Sequence, residues 1–157
     1  MEVYPDLKEF IELLNENKAE YLIVGGYAAS FHSRPRYTKD IDIWINPTKT
    51  NAKKIKKVLD KFGFEKIDIL IDDLTKKDQI IQLGYAPVRI DLITGLVGLK
   101  FSEAYKNLIL GTYGNIKNVK YISSDDLITN KKLSGRKQDL FDVEWIKKYS
   151  SKKERNE

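Results

Sequence analysis

A glycine pair and an acidic pair, each joined to a short apolar run, constrain this sequence more than any other feature. Gly25-Gly26 directly follows the run Tyr21–Val24, and Asp40 and Asp42 lie at the start of the run that ends at Ile45. Residues i and i+2 of a strand point to the same face, so the Cα atoms of the two aspartates are expected about 7 Å apart. Carboxylates at that distance repel each other and seldom lie together without a cation.

The glycine pair predicts a tight turn from a strand into a helix. Glycine leaves backbone N–H groups unshielded, and the start of a helix attracts anions. A phosphate site beside a cation site indicates nucleotide chemistry. Neither pair is diagnostic alone, because glycine also serves such turns through its backbone angles and aspartate is common where strands begin.

A third carboxylate makes the pattern more specific. Asp91 lies within the apolar run Val88–Ile93, which follows a second apolar run at residues 79–84 across a turn at residues 85–87. Such a hairpin can return Asp91 to a place beside Asp42, although a surface position on an edge strand is the alternative. Carboxylates from neighbouring strands suit Mg²⁺ or Mn²⁺ together with substrate phosphates, and two such ions can hold the attacking and leaving oxygens of a phosphoryl-type transfer.

The composition excludes several other kinds of site. The chain has no cysteine and one histidine, which rules out thiolate metal sites and multi-histidine zinc sites. No apolar run has the ~18 residues of a membrane span, and the N-terminus lacks a secretory segment, so we predict a cytoplasmic protein with no membrane partner. The net charge of +5 and the basic segment 147–157 favour polyanions, but they also fit solvated helices and a frayed tail.

Periodicity along the chain predicts an α/β (α+β) domain, with a mixed β-sheet core flanked by helices and followed by a C-terminal helical pair. We expect the core at residues 1–122, the packed helices at 123–150 and a disordered charged tail at 151–157. An N-cap at Asp6 and a cap at Ser123 or Ser124 are further expectations. The predicted helices are 6–17, 27–32, 51–62, 102–108, 124–133 and 138–149. The predicted strands are 21–24, 41–45, 79–84, 88–93 and an edge strand at 119–122. Residues 64–73 are predicted to form a strand and a loop, and residues 111–115 a connection.

The combination resembles the nucleotidyltransferase superfamily related to DNA polymerase beta, over roughly residues 20–95. That superfamily has a strand, Gly-Gly or Gly-Ser, a short helix, Asp-x-Asp in a strand, and a later strand aspartate. The resemblance implies that Asp40 and Asp42 hold the metal ions with the triphosphate. It also implies that Asp91 completes the site and assists deprotonation of the acceptor hydroxyl, and that Gly25 and Gly26 cradle phosphate.

Residues 127–142 are similar to a segment of small bacterial nucleotidyltransferases, including the abortive-infection type toxins. The similarity implies that Lys132, or its neighbour Lys131, binds the triphosphate and that Arg136 makes a second phosphate contact. A helix-end basic cluster is the alternative. Arg34 and Arg36, which lie between the glycine turn and Asp40, are further candidates for phosphate binding.

The resemblance implies a metal-dependent enzyme that moves a nucleoside monophosphate from an NTP, ATP among them, to a hydroxyl and releases pyrophosphate. The acceptor is a tRNA, a protein or a small molecule, and a cognate partner in a toxin–antitoxin system is expected. A catalytically silent relative that acts as an antitoxin-like binding protein is the alternative. The presence of all three carboxylates favours the enzyme.

Overall fold

Short apolar strands alternate with amphipathic helices along the chain and form a mixed six-stranded sheet with helices around it, which confirms the predicted fold class. The computed structural model describes residues 2–63, 68–85 and 88–156. The elements are α1 (Pro5–Glu16), β1 (Tyr21–Val24), α2 (Gly25–His32), β2 (Ile41–Ile45), α3 (Lys49–Phe62), α4 (Ile71–Thr75), β3 (Ile80–Tyr85), β4 (Val88–Ile93), α5 (Phe101–Lys106), β5 (Ile109–Tyr113), β6 (Ile116–Tyr121), α6 (Ser124–Ser134) and α7 (Lys137–Asn156).

The sheet has the strand order β3-β4-β2-β1-β6-β5. β2 pairs with β1 in the antiparallel sense and with β4 in the parallel sense, while β3–β4 and β5–β6 are antiparallel hairpins. The parallel β2–β4 pair requires a long crossover, which α3 and α4 supply. The strand that carries the acidic pair therefore lies between the strand that precedes the glycines and the strand that carries Asp91.

The helices bury the apolar stripes that their sequence periodicity predicts. On α1 the buried stripe is Leu7, Phe10, Ile11 and Leu14. Phe10 meets Phe62 of α3 edge to face, with ring centroids 5.2 Å apart. α2, α6 and α7 contact one another near the glycine turn, which brings the C-terminal helices to the end of the sheet where the acids lie.

The ends of α3 and α6 follow capping rules, whereas the start of α1 does not follow the cap that its sequence predicts. Ser123 Oγ accepts a hydrogen bond from the Asp126 N–H at the start of α6, and Gly63 ends α3 in the left-handed conformation. The predicted Asp6 cap is wrong, because α1 begins at Pro5 and its N-cap residue, Tyr4, makes no side-chain cap. Proline suits the first helical position, where its missing N–H costs nothing.

Two sequence assignments differ from the structure. The expected connection 111–115 lies largely within β5 and the β5–β6 turn, so β6 is an interior strand between β1 and β5 rather than an edge. Gly111 gives β5 a loop-like sequence, yet it is required there because a Cβ would come within 2.6 Å of the Phe31 ring. Residues 71–75 form α4 instead of a loop; residues 64–67 and 86–87 lie outside the described residues.

The C-terminal helical pair forms as predicted, and its second helix is longer than predicted. α7 runs from Lys137 to Asn156, so the backbone continues as a helix through most of the segment that the sequence assigns to a charged tail. Within residues 2–63, 68–85 and 88–156, no helix combines the length and the apolarity that crossing a membrane would require.

Candidate active site

The strand register brings the three predicted carboxylates together. Asp42 pairs with Asp91 across β2–β4 and with Val24 across β1–β2. Asp40 stands immediately before β2, two residues from Asp42, and therefore on the same side of the strand. One carboxylate oxygen from each aspartate lies within 4.8 Å of the others. Asp91 is buried, while Asp40 and Asp42 are half-buried.

Both glycines lie where a side chain would not fit. Gly25 has a positive φ of 62°, and a Cβ there would collide with the Asp42 carboxylate. At Gly26 a Cβ would approach Thr38 Cγ2 to 2.6 Å and Arg36 Nη2 to 3.1 Å. The pair therefore lets the start of α2 lie directly against the acids and the segment that precedes them, and its role in holding phosphate stays a prediction.

Burial and mutual repulsion raise the pKa values of Asp40 and Asp42. Burial, followed by the charges of Asp40 and Asp91, raises the pKa of Asp42 to about 7, and Lys131 and Arg136 oppose this rise. Burial and a hydrogen bond to Asp91 raise the pKa of Asp40 in the same direction. The cluster therefore carries unfavourable charge at neutral pH unless a cation compensates it.

A second ionic cluster, which we call the α6–α7 cluster, faces the acids from the C-terminal helices. The buried Lys131 Nζ lies 2.9 Å from Asp142 Oδ2 and 3.3 Å from Asp139 Oδ1. Arg136 contacts Asp139 at 2.8 Å and Arg36 contacts Asp142 at 2.9 Å. Burial alone would raise the pKa of Asp139, but the Arg136 hydrogen bond and the Lys131 charge hold it below its usual range.

The structure brings Lys131, and not Lys132, to the cleft. Lys131 is buried beside the cleft, where its charge acts on Asp42. Lys132 is exposed one position further around α6, and the nearby Lys147 lowers its pKa. Successive helical residues are about 100° apart, so two adjacent lysines cannot face the same ligand. The choice of Lys132 as the triphosphate ligand does not agree with this geometry.

Of the arginines predicted to bind phosphate, two line the cleft and one does not. Arg36 and Arg136 line the cleft, and the Arg136 side chain keeps 79% of its surface exposed. Arg34 instead stacks over the Trp145 ring, with Cζ 3.5 Å from the ring centroid.

An open cleft of about 710 Å³ joins the two clusters, and its wall is mixed in character. Carboxylates, arginines and Lys131 line one part, and Ile80, Ile93, Leu96 and Val97 line another. Ile80 and Val97 are largely exposed. The apolar part was missed in the sequence because Ile80 and Val97 look like ordinary strand and loop residues until the fold brings them together.

Arg89 is the functional candidate that the sequence argument missed. It lies two residues before Asp91 on β4, so its side chain shares the face of the acids. Its Nε and Nη2 atoms donate to the two oxygens of Asp91 at 3.2 and 3.1 Å, and Nη2 lies 3.7 Å from Asp40 Oδ2. The period-two spacing of Arg89 and Asp91 was the available signal.

The three aspartates fit a divalent cation. Hard cations such as Mg²⁺ take carboxylate oxygens and keep water and phosphate positions open. Asp40, Asp42 and Asp91 offer three such oxygens in one place, at the rim of an open cleft and beside a glycine that lets the start of α2 lie against Asp42.

Comparison with known proteins identifies the fold. No protein-family model matches the chain, and no curated protein matches it. The crystal structure of the lincosamide antibiotic adenylyltransferase LnuA, bound to lincomycin, is similar with a TM-score of 0.56 and 15% sequence identity. The similarity covers 94% of this chain and 98% of that chain. The chain has a nucleotidyltransferase fold. Likeness to the abortive-infection toxins stays a prediction.

The steric role of Gly25 can be measured against a matched glycine. Gly25→Ala should lower the melting temperature more than Gly63→Ala, because both residues have positive φ but a Cβ at Gly63 meets nothing within 4 Å. Thermal melts of both variants in metal-free buffer make the comparison. Equal losses would show that only the backbone conformation, and not the contact with Asp42, requires glycine.

Stability without metal should depend on pH through Asp42. Its folded-state pKa lies above the ordinary value, so the folded protein binds the extra proton between about pH 4 and pH 7 and loses stability as pH rises through that range. The loss from Asp42 should reach at most about 4 kcal/mol. Asp42→Asn should weaken the dependence of the free energy of unfolding on pH and raise that free energy at pH 8. Urea unfolding in EDTA at several pH values measures both effects.

Asp60→Asn provides the control for that experiment. Asp60 is an exposed carboxylate on α3 that pairs with Lys56 at 3.4 Å. The pH slope of this variant should match that of the wild type. An unchanged slope in Asp42→Asn would mean that the raised pKa of Asp42 does not contribute to stability.

Proposed function

We propose that this protein is a metal-dependent nucleotidyltransferase that moves a nucleoside monophosphate from an NTP to a hydroxyl acceptor. The observation that carries the proposal is the register that pairs Asp42 with Asp91 while Gly25 follows the residue opposite Asp42. Three converging carboxylates beside a side-chain-free helix start are suited to a cation–triphosphate complex. The fold shared with an adenylyltransferase supports the same reaction class.

In the proposed reaction the acceptor hydroxyl oxygen attacks the α-phosphorus of the NTP. The bond from that phosphorus to the oxygen bridging to the β-phosphate breaks, and pyrophosphate leaves. Divalent metal, when bound by Asp40, Asp42 and Asp91, supplies charge stabilisation to the phosphoryl oxygens and to the leaving oxygen. Asp91 is the proposed acceptor of the hydroxyl proton, since its strand, β4, lies further along the sheet from the glycine turn than β2 does and also carries Ile93 of the cleft lining.

The α6–α7 cluster is the proposed phosphate-binding side of the cleft. Arg136 uses Nε and one Nη atom on Asp139, which leaves further N–H donors at an exposed guanidinium. Arg36 is held by Asp142 through Nη2 alone, and its Nη1 atom donates to the Tyr37 carbonyl oxygen. Lys131 already pairs with both aspartates, so its proposed role is to hold them in place and to add positive charge, not to bind phosphate as an exposed amine.

A small molecule is the proposed acceptor class. The structural neighbour is an antibiotic adenylyltransferase in complex with lincomycin, and it is similar over 98% of its own chain. The apolar wall of Ile80, Ile93, Leu96 and Val97 lines the same cleft as the acids, with Ile93 two residues after Asp91 on β4, and can bury the apolar part of a hydroxylated compound. A tRNA or protein acceptor would need a broader surface, and these acceptors become separate outcomes of the labelling experiment.

The reaction can be tested by transfer of label from each α-³²P-NTP in the presence of Mg²⁺. The acceptors are the RNA, protein and small-molecule fractions of a cell extract, together with lincosamides and other hydroxylated antibiotics. Asp42→Asn should reduce transfer by about two orders of magnitude or more, because metal stabilisation of developing charge is worth several kcal/mol. Asp60→Asn should transfer as the wild type does.

The results separate the two functional classes. Label in the small-molecule fraction supports the proposed acceptor, whereas label in RNA or protein reassigns the acceptor and keeps the reaction. Transfer that is equal in Asp42→Asn and the wild type would overturn the mechanism. NTP binding with no transfer to any fraction would favour the silent binding protein.

The phosphate-binding assignment is tested by two alanine variants. Arg136→Ala should weaken binding of a non-hydrolysable NTP with Mg²⁺ by at least about tenfold, since hydrogen bonds from charged groups contribute about 1.5–3 kcal/mol. Lys132→Ala should bind as the wild type does, because Lys132 is exposed away from the cleft lining. Isothermal titration calorimetry measures both. A loss of NTP affinity in Lys132→Ala alone would instead support Lys132 as the triphosphate ligand.

A further inference from the structure

The Arg89 guanidinium occupies the position between two of the three carboxylates. It makes two hydrogen bonds to Asp91, with Nε on Oδ1 and Nη2 on Oδ2. The same Nη2 atom is 3.1 Å from Asp91 Oδ2 and 3.7 Å from Asp40 Oδ2. One nitrogen of the charged guanidinium therefore bridges Asp40 and Asp91.

The forked contact uses the lone pairs that a cation would take. An arginine fork on a carboxylate engages both oxygens along their inner directions, the same directions that a divalent ion prefers. A cation held jointly by Asp40, Asp42 and Asp91 would also lie within a few ångströms of the Nη2 atom. Two positive charges at that distance repel strongly in a half-buried site.

We infer that Arg89 competes with the divalent cation for Asp40 and Asp91 and thereby sets the metal affinity of the site. The inference rests on the proposed function, since it concerns the same three carboxylates. Arg89 compensates the acids when no metal is bound, and it has to leave Asp40 and at least one Asp91 oxygen when metal binds. Metal binding would thus replace the Arg89 guanidinium with a divalent cation at these carboxylates.

The surroundings of Arg89 allow this exchange. Its side chain keeps 33% of its surface exposed and lines the open cleft, so no packed core has to move with it. Gln82, its neighbour on β3, can accept from Arg89 Nη1 at 3.1 Å through the amide oxygen. Gln82 therefore offers a neutral hydrogen-bond partner that remains when the carboxylates are taken by metal.

The inference is tested by titrating Mn²⁺ alone into the protein, with free Mn²⁺ followed by electron paramagnetic resonance. Arg89→Gln should bind Mn²⁺ at least about tenfold more tightly than the wild type, because a like charge is removed from the site. Arg36→Gln is the matched control. This variant removes the same charge from the same cleft, but Arg36 pairs with Asp142, which lies outside the acid cluster. The affinity of Arg36→Gln for Mn²⁺ should therefore differ from that of the wild type by less than about threefold.

Thermal melts give a second readout. Arg89→Gln should melt below the wild type in EDTA, and Mn²⁺ should raise its melting temperature by more than it raises that of the wild type. Arg89→Lys keeps the charge and loses the fork, so it should bind Mn²⁺ with intermediate affinity; it also serves if Arg89→Gln does not fold without metal.

The outcomes distinguish this inference from the proposed function. Unchanged or weaker Mn²⁺ affinity in both Arg89 variants, with measurable binding by the wild type, overturns the competition and leaves the metal site intact. Tightening in Arg36→Gln equal to that in Arg89→Gln also overturns it, because general electrostatics would then suffice. Absence of binding in every variant overturns the metal site and the competition together.

Discussion

The position of β2 between an antiparallel and a parallel neighbour determines the rest of the site. Asp42 is opposite Val24 on one side and opposite Asp91 on the other. The position of Asp42 therefore fixes how far the glycine turn, which follows Val24, lies from Asp40 and from Asp91. A shift of one residue in either pairing would turn an aspartate into the core and an isoleucine into the cleft. The buried Ile41 and Ile43 oppose such a shift, so hydrophobic burial positions groups that repel one another.

The α6–α7 cluster plays the corresponding part for the C-terminal helices. A buried lysine with two buried aspartates is expensive to desolvate, and breaking such a set by removing one member is more costly still. Arg36 extends the cluster to the segment between α2 and β2. The same ion pairs that join the helices to the core therefore place two arginines at the rim of the cleft, and the stability and the charge of the site depend on the same contacts.

The sequence predicts those features that depend on local spacing. Period-two alternation places Asp40 and Asp42 on one face of a strand, and the cap at Ser123 follows from the preference of a single residue, whereas the position of Asp91 beside Asp42 depends on which strands pair. Features that depend on the rotation of an element or on distant partners are not predictable in this way. The choice between Lys131 and Lys132 depends on one helical step of about 100°, and β5 was hidden by a glycine whose reason, the Phe31 ring, lies far away in the chain.

The contact between Gly25 and the Asp42 carboxylate imposes an order on how such a site is lost over generations. While Asp42 is present, a side chain at position 25 meets both a positive φ and an occupied space. Once Asp42 is replaced by a smaller residue, only the backbone conformation limits position 25, and asparagine becomes tolerable there. Descendants that abandon the chemistry are therefore expected to change the aspartate first and the glycine afterwards.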